Sequence, residues 1–229
     1  MSSADEKVLC VPDESFKNLF DERTNILAKN YNFKNKNFVS AEIMPLNLIA
    51  WLANGGYYRS AIYYPRSECE TDKSLRQLCS YVVLNTNGYI VSYTRSKAGG
   101  EGRLYGKKSL GFGGHINDTD FVDNKITPDS LLNAAKRDFY EELEFGSLPQ
   151  DFRFVGSIYV PESDDPVHLV HLGLVWEARS LFTGVKAKEE AISNLQTSVI
   201  GDLHTSISEF EYWSQIILDV ANAPLYSFF

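Results

Sequence analysis

Asp138, Glu141 and Glu142 stand at i, i+3 and i+4 in a segment, 129–145, whose apolar residues repeat at helical spacing, so the three carboxylates share one helix face. Repulsion across one turn costs about 0.2–0.5 kcal/mol per pair, so such a cluster is either well solvated or neutralised by bound cations. Arg137 lies four residues before Glu141 and can form an ordinary i,i+4 pair with it. Taken alone, these residues favour an ordinary solvated acidic surface over a cation site. Two features upstream shift the balance. Gly113-Gly114 permits close backbone approach, and the stretch 95–108 combines glycines with Arg95, Lys97, Arg103, Lys107 and Lys108. A loop facing phosphate needs both mobility and positive charge, although a solvent-exposed hairpin loop accounts for the same residues.

The elements that must position these side chains are legible in outline. Thr127 reads as a helix cap with Pro128 at the first position, and the helix is expected to run over 129–145 and stop at Gly146. Leu132, Ala135, Phe139 and Leu143 form its apolar stripe. Before it, 81–86 and 89–94 are aromatic and β-branched runs separated by Asn87-Gly88, a strong hairpin signal. The segment 109–116 reads as a strand entering a tight turn. Beyond the helix, 152–160 and 167–176 read as strands joined by an acidic turn, while 186–196 is ambiguous. Ser206 and Glu209 have capping-box spacing ahead of Ile207, Phe210, Trp213, Ile217 and Val220 on one helical face. Near the N-terminus, Phe16, Leu19, Phe20, Ile26 and Leu27 suggest a helix, the apolar run 46–53 closes at Asn54-Gly55-Gly56, and 57–64 reads as a strand ending at Pro65.

Together the diglycine and the acidic helix resemble the signature of the Nudix hydrolases: Gly, five residues, Glu, seven residues, then Arg-Glu-hydrophobe-x-Glu-Glu-x-Gly-hydrophobe. Arg137, Phe139, Glu141, Glu142 and Phe145 match, Asp129 and Asp138 stand for Glu, and Glu144 occupies the glycine position. Fourteen residues, 115–128, replace the family's five, a lengthening that costs only about 0.9 kcal/mol in loop closure. The resemblance implies an α/β fold of the α+β type, a Nudix α/β/α sandwich with a mixed β-sheet. Its hydrolase domain spans 79–229, with 1–78 an N-terminal extension packed on the core. It implies hydrolysis of a pyrophosphate bond in a nucleoside diphosphate-linked substrate with Mg2+ or Mn2+. Glu141, Glu142, Asp138 and the Gly113 carbonyl would serve as metal ligands, and Arg137 would orient Glu141. Arg95, Lys97, Arg103, Lys107, Lys108 and His115 are the candidates for substrate contact, and Glu189 or Glu190 for a further carboxylate. A catalytically silent nucleotide-binding or regulatory module on the same fold is the alternative.

Composition bounds the remaining possibilities. The 229 residues carry a formal charge of −8 and 44% hydrophobic residues, which supplies ample core and argues against general affinity for nucleic-acid backbone or anionic membrane. A phosphorylated small-molecule, nucleotide-type substrate is the expected partner, with a homodimer possible. Cys10, Cys69 and Cys79 are an odd number without metal-like spacing, and with no export signal or membrane span in view they read as reduced thiols of a cytoplasmic protein. The histidines show no zinc pattern either. His115 and His204 stand apart, and His168 and His171 would face opposite sides of a strand.

Overall fold

A computed structural model describes residues 6–28, 37–41, 44–54, 62–98, 102–121, 125–149, 151–181 and 184–222. In chain order the regular elements begin with β1 (Lys7–Pro12), α1 (Asp13–Ala28), β2 (Phe38–Ser40), α2 (Leu46–Ala53), β3 (Ile62–Pro65) and α3 (Arg66–Cys69). They continue with β4 (Leu75–Thr86), β5 (Tyr89–Arg95), β6 (Lys108–Ser109), β7 (Gly111–Phe112), α4 (Pro128–Glu142), β8 (Leu143–Phe145) and β9 (Asp151–Tyr159). The last are β10 (His171–Ser180), β11 (Val185–Ala187), β12 (Ile192–Ser198), α5 (Ile200–Thr205) and α6 (Tyr212–Ala221). The fold is α+β, with a large mixed sheet and helices. It divides into two compact units, one of 1–80, 114–135 and 156–174 and the other of 81–113, 136–155 and 175–229. The N-terminal residues share a unit with two later segments.

In the first unit, β1 pairs antiparallel with β3 and with the start of β4, and β2 pairs antiparallel with the end of β9. The first of these strands has no alternation to betray it, because Val8, Leu9, Cys10 and Val11 are all buried and both faces are covered. Helix α1 begins where Asp13 accepts hydrogen bonds from Arg76 Nε (2.6 Å) and the Tyr159 hydroxyl (2.8 Å). Phe16 and Phe20 then pack on the Tyr159 ring, each 5.0 Å away. Helix α2 covers the expected run and closes where Asn54 Nδ2 donates to the Ala50 carbonyl. The expected strand 57–64 lies partly outside the described residues.

In the second unit, β12, β5, β4, β10 and β9 are successive neighbours. Asn87 (φ 53°) and Gly88 (φ 85°) turn β4 into β5 with Thr86 opposite Tyr89, so the hairpin forms through the two positive φ values that Asn-Gly tolerates. The helix expected over 206–220 is broken. A 3-10 turn at Ile207–Glu209 precedes α6, whose cap is Glu211, accepting from the backbone N–H groups of Trp213 and Ser214. Ser206 makes no such cap. No helix among the described residues is long and apolar enough to cross a membrane.

Candidate active site

Helix α4 starts as its sequence dictates. The Thr127 hydroxyl accepts the Ser130 N–H and the Ser130 hydroxyl accepts the Thr127 N–H, a reciprocal cap with Pro128 at the first position. Its buried face is Leu131, Ala134, Ala135, Asp138 and Phe139, with Leu132 only half-buried, so the stripe lies one position from the expected one at its start. The helix also ends earlier than expected. Leu143–Phe145 leave it to pair antiparallel with β11, Glu144 opposite Lys186, and strand pairing overrides the helical period at those three residues. Phe139 fixes the C-terminal end by stacking among Phe112, Phe145 and Phe152, with ring centroids 5.1–6.1 Å away.

That end carries the carboxylates. Glu142 is half-buried and accepts the Gly113 N–H at 3.0 Å. Gly113 has φ 146°, a conformation that side chains rarely adopt, so glycine is what lets the backbone present its N–H there. Asp138 is 8% exposed and is held by Arg137 Nη1 at 2.7 Å; the same nitrogen reaches Glu141 at 3.4 Å. The Glu141 side chain is 61% exposed. Pairing of β8 with β11 carries the following turn to the helix end. The Lys188 N–H donates to the Glu142 carbonyl, and Lys188 Nζ donates to that of Tyr140. Glu189 follows in the chain, and its charge acts on Glu142.

The Glu142 carboxyl is pushed up from 4.5 to about 8, first by burial and then by the charge of Glu189, with Asp138 adding to the rise. The Gly113 N–H and the charge of Arg95 pull it back only in part. The charges of Glu189 and Asp138 thus act on a carboxyl that ionises reluctantly, and a divalent cation would relieve that repulsion. All the available donors are hard oxygens, the set that suits Mg2+ or Mn2+.

The other expected contacts are placed unevenly. Arg95 ends β5 near Glu142, whereas Lys97 sits over the Tyr105 ring at 5.0 Å. Lys107 Nζ donates to the Ser208 carbonyl and Lys108 pairs with Glu209 at 2.7 Å, so these two are engaged with the turn before α6. Arg103 lies exposed in a short 3-10 turn. Asp129 is in the first turn of α4, about 20 Å along the helix from Glu142. The Glu190 backbone carbonyl accepts the Ser96 hydroxyl. His115 belongs to the first unit and faces His171, Nε2 to Nε2 at 3.1 Å, so it is not isolated as the sequence suggested. Burial, with the charges of Arg66 and His171, holds it well below the usual imidazole pKa. His168 lies in a 3-10 turn rather than a strand.

Similarity to known proteins bears on this geometry. No family model matches the chain. It is similar to the Protein YmaB of Bacillus subtilis (strain 168), 29% identical over 167 residues that cover 68% of this chain and 75% of the relative. In three dimensions it resembles the crystal structure of Tm1382, described as "a putative Nudix hydrolase", with a TM-score of 0.70 at 23% identity over 94% of this chain and 97% of that one. The fold is that of the Nudix hydrolases. A weaker likeness, TM-score 0.46 at 13% identity over 64% of this chain and 41% of the other, is to a bifunctional NMN adenylyltransferase/ADP ribose pyrophosphatase from Francisella tularensis complexed with AMP and a manganese ion; at that level it supports no transfer of ligand.

On this Nudix fold the sequence located the acidic helix and the diglycine. It left Glu189 as one of two weak candidates. The only sequence signal for it was its distance beyond the helix, and the strand pairing that delivers it is a tertiary fact.

Proposed function

We propose that the chain is a divalent-metal-dependent hydrolase that cleaves the pyrophosphate bond of a nucleoside diphosphate-linked substrate. The observation that supports this reading best is Glu142, a carboxyl raised to about 8 beside Glu189 and Asp138 and steadied by the Gly113 N–H. A purely structural acidic surface would leave its carboxylates in water. Here one is partly withdrawn from it and lies under the negative charges of Glu189 and Asp138.

Glu141, Glu142 and Asp138, the last through bridging water, would hold Mg2+ or Mn2+, with the Gly113 carbonyl adding a neutral oxygen. Bound there, the ion supplies charge neutralisation between carboxylates and pyrophosphate and lowers the pKa of an attacking water. The chain's own side chains do the rest. Arg137 fixes Asp138 and Glu141 relative to each other. Arg95 offers positive charge to a phosphate on the side of Glu142, and Lys97 and Arg103 follow it in the same loop. Glu189 accepts the proton of the attacking water on a carboxylate oxygen, because its neighbour Glu142 is committed to the Gly113 N–H.

The test is turnover with Mg2+ on a panel of nucleotide sugars, dinucleoside polyphosphates, nicotinamide and flavin dinucleotides, ADP-ribose and nucleoside triphosphates. The expected result is two phosphorylated products from at least one class, abolished by excess chelator. Tight binding of a nucleotide without turnover would assign a regulatory module instead. Hydrolysis undiminished in chelator would overturn the metal reading.

A further inference from the structure

In the first unit, three segments bring together a thiol and two imidazoles. Cys79 in β4 and His115 are direct antiparallel partners. The flanking bonds, Ser80 N–H to the Gly114 carbonyl at 2.8 Å and Ile116 N–H to the Leu78 carbonyl at 3.0 Å, make them a non-hydrogen-bonded pair, in which facing side chains come closest. The start of β10 is set beside them by the Gln77 N–H, which donates to the Val170 carbonyl at 2.8 Å, and this delivers His171. The sulfur and one nitrogen from each ring lie within 4.8 Å of one another.

The details favour a bound cation over a simple imidazole pair. His171 Nδ1 lies 2.7 Å from the Val167 carbonyl. As the donor of that bond it fixes the ring and leaves Nε2 as a lone pair aimed at His115, the arrangement metal-ligating histidines adopt. The two Nε2 atoms are 3.1 Å apart, against the roughly 3.3 Å that a tetrahedral angle imposes on two nitrogens about 2.0 Å from a zinc ion. Cys79 and His171 are buried and His115 is half-buried, so the site is lined by protein on most sides and keeps one side accessible. Gln77 is two residues before Cys79, on the same face of β4, and both ends of its fully buried amide are without a hydrogen-bond partner. A buried amide in that state costs about 1–3 kcal/mol, and polar matter on this face would relieve it. The nearby charge of Arg66 does not oppose a cation, because its guanidinium is paired with Glu6 and Glu70 at 3.2 Å each.

We propose that Cys79, His115 and His171 form a zinc-binding site with the fourth coordination position open to water. One thiolate and two imidazoles are borderline-soft donors in a tetrahedral arrangement, the chemistry that selects Zn2+ over Mg2+ or Mn2+. The site shares no residue with the carboxylate cluster and stands whether or not that cluster hydrolyses anything.

Cobalt titration of the full-length, reduced protein tests it, since Co2+ reports tetrahedral thiolate ligation through a sulfur-to-metal charge-transfer band. The expected result is a band saturating at one equivalent, displaced by Zn2+, lost in Cys79→Ser and retained in Glu142→Gln. His115→Gln and His171→Gln should each weaken cobalt affinity at least about tenfold. They also keep the proposal testable if Cys79→Ser fails to fold. Absence of the band in the wild type, or a band of undiminished affinity in both histidine variants, would overturn the assignment. So would a band that survives in folded Cys79→Ser, because the sulfur would then belong to Cys10 or Cys69.

Discussion

Replacing Glu142 with Gln keeps the shape of the side chain and its acceptor for the Gly113 N–H but removes the proton equilibrium. In the unfolded chain this carboxyl titrates at its ordinary value, near 4.5, whereas in the metal-free folded protein it holds its proton to about 8. Between these values the folded state binds more protons than the unfolded state, so stability falls as pH rises. The contribution is fully present below pH 4.5 and is lost as pH passes through 8. At about 1.4 kcal/mol per pKa unit, the displacement corresponds to a ceiling of about 4–5 kcal/mol, which relaxation around a half-buried group cuts to about 2 kcal/mol. In a chain of this size, 2 kcal/mol moves Tm by roughly 4–8 °C. Thermal melts of wild type and Glu142→Gln in chelator should therefore agree near pH 4.5 and diverge by several degrees at pH 9, with the Gln variant the more stable. Equal melting at pH 9, or a less stable variant there, would refute the reasoning that Glu142 is an electrostatically frustrated group awaiting a cation.

Magnesium or manganese should raise the wild-type Tm by mass action, and the increase should shrink in Glu141→Gln and in Glu142→Gln. Differential scanning fluorimetry over a metal titration reads this, and equal shifts in all three proteins would place the cation elsewhere. Arg95→Gln should raise KM more than it lowers kcat, while Lys107→Gln and Lys108→Gln leave both constants unchanged because those amines are engaged with Ser208 and Glu209. Steady-state kinetics on whichever substrate is turned over decides it, and unchanged constants in Arg95→Gln would remove that residue from substrate contact. Deleting residues 1–78 should yield insoluble or poorly stable protein, because it removes β1, β3 and the first residues of β4 and strips β2 from β9. A soluble truncate that melts like the full chain would contradict this.

What could be seen in the sequence was what local chemistry decides. Asn87-Gly88 specified its turn because two consecutive positive φ values admit few other residues, and Thr127-Pro128 specified a helix start because both act within one turn. The carboxylates could be placed on one face for the same reason. The end of α4 could not be placed, since whether 143–145 continue a helix or form a strand depends on β11, some forty residues on. Glu189 reaches Glu142 only through that pairing. Likewise Glu211 rather than Ser206 caps α6, a choice shared with the Tyr81 hydroxyl, which donates to the same carboxylate from a distant strand. Cys79, His115 and His171 carry no spacing signal at all, because three strand segments far apart in sequence bring them together.

The most direct test of the central claim is the turnover of Glu141→Gln and Glu142→Gln in saturating magnesium, measured on a substrate that the wild type hydrolyses and with circular dichroism to establish that each variant is folded. If the C-terminal end of α4 holds the ion that acts on the pyrophosphate, each substitution should reduce kcat at least about a hundredfold, the scale of losing one preorganised electrostatic contact. Near-normal turnover in both folded variants would contradict the account and reduce this helix to a solvated acidic surface.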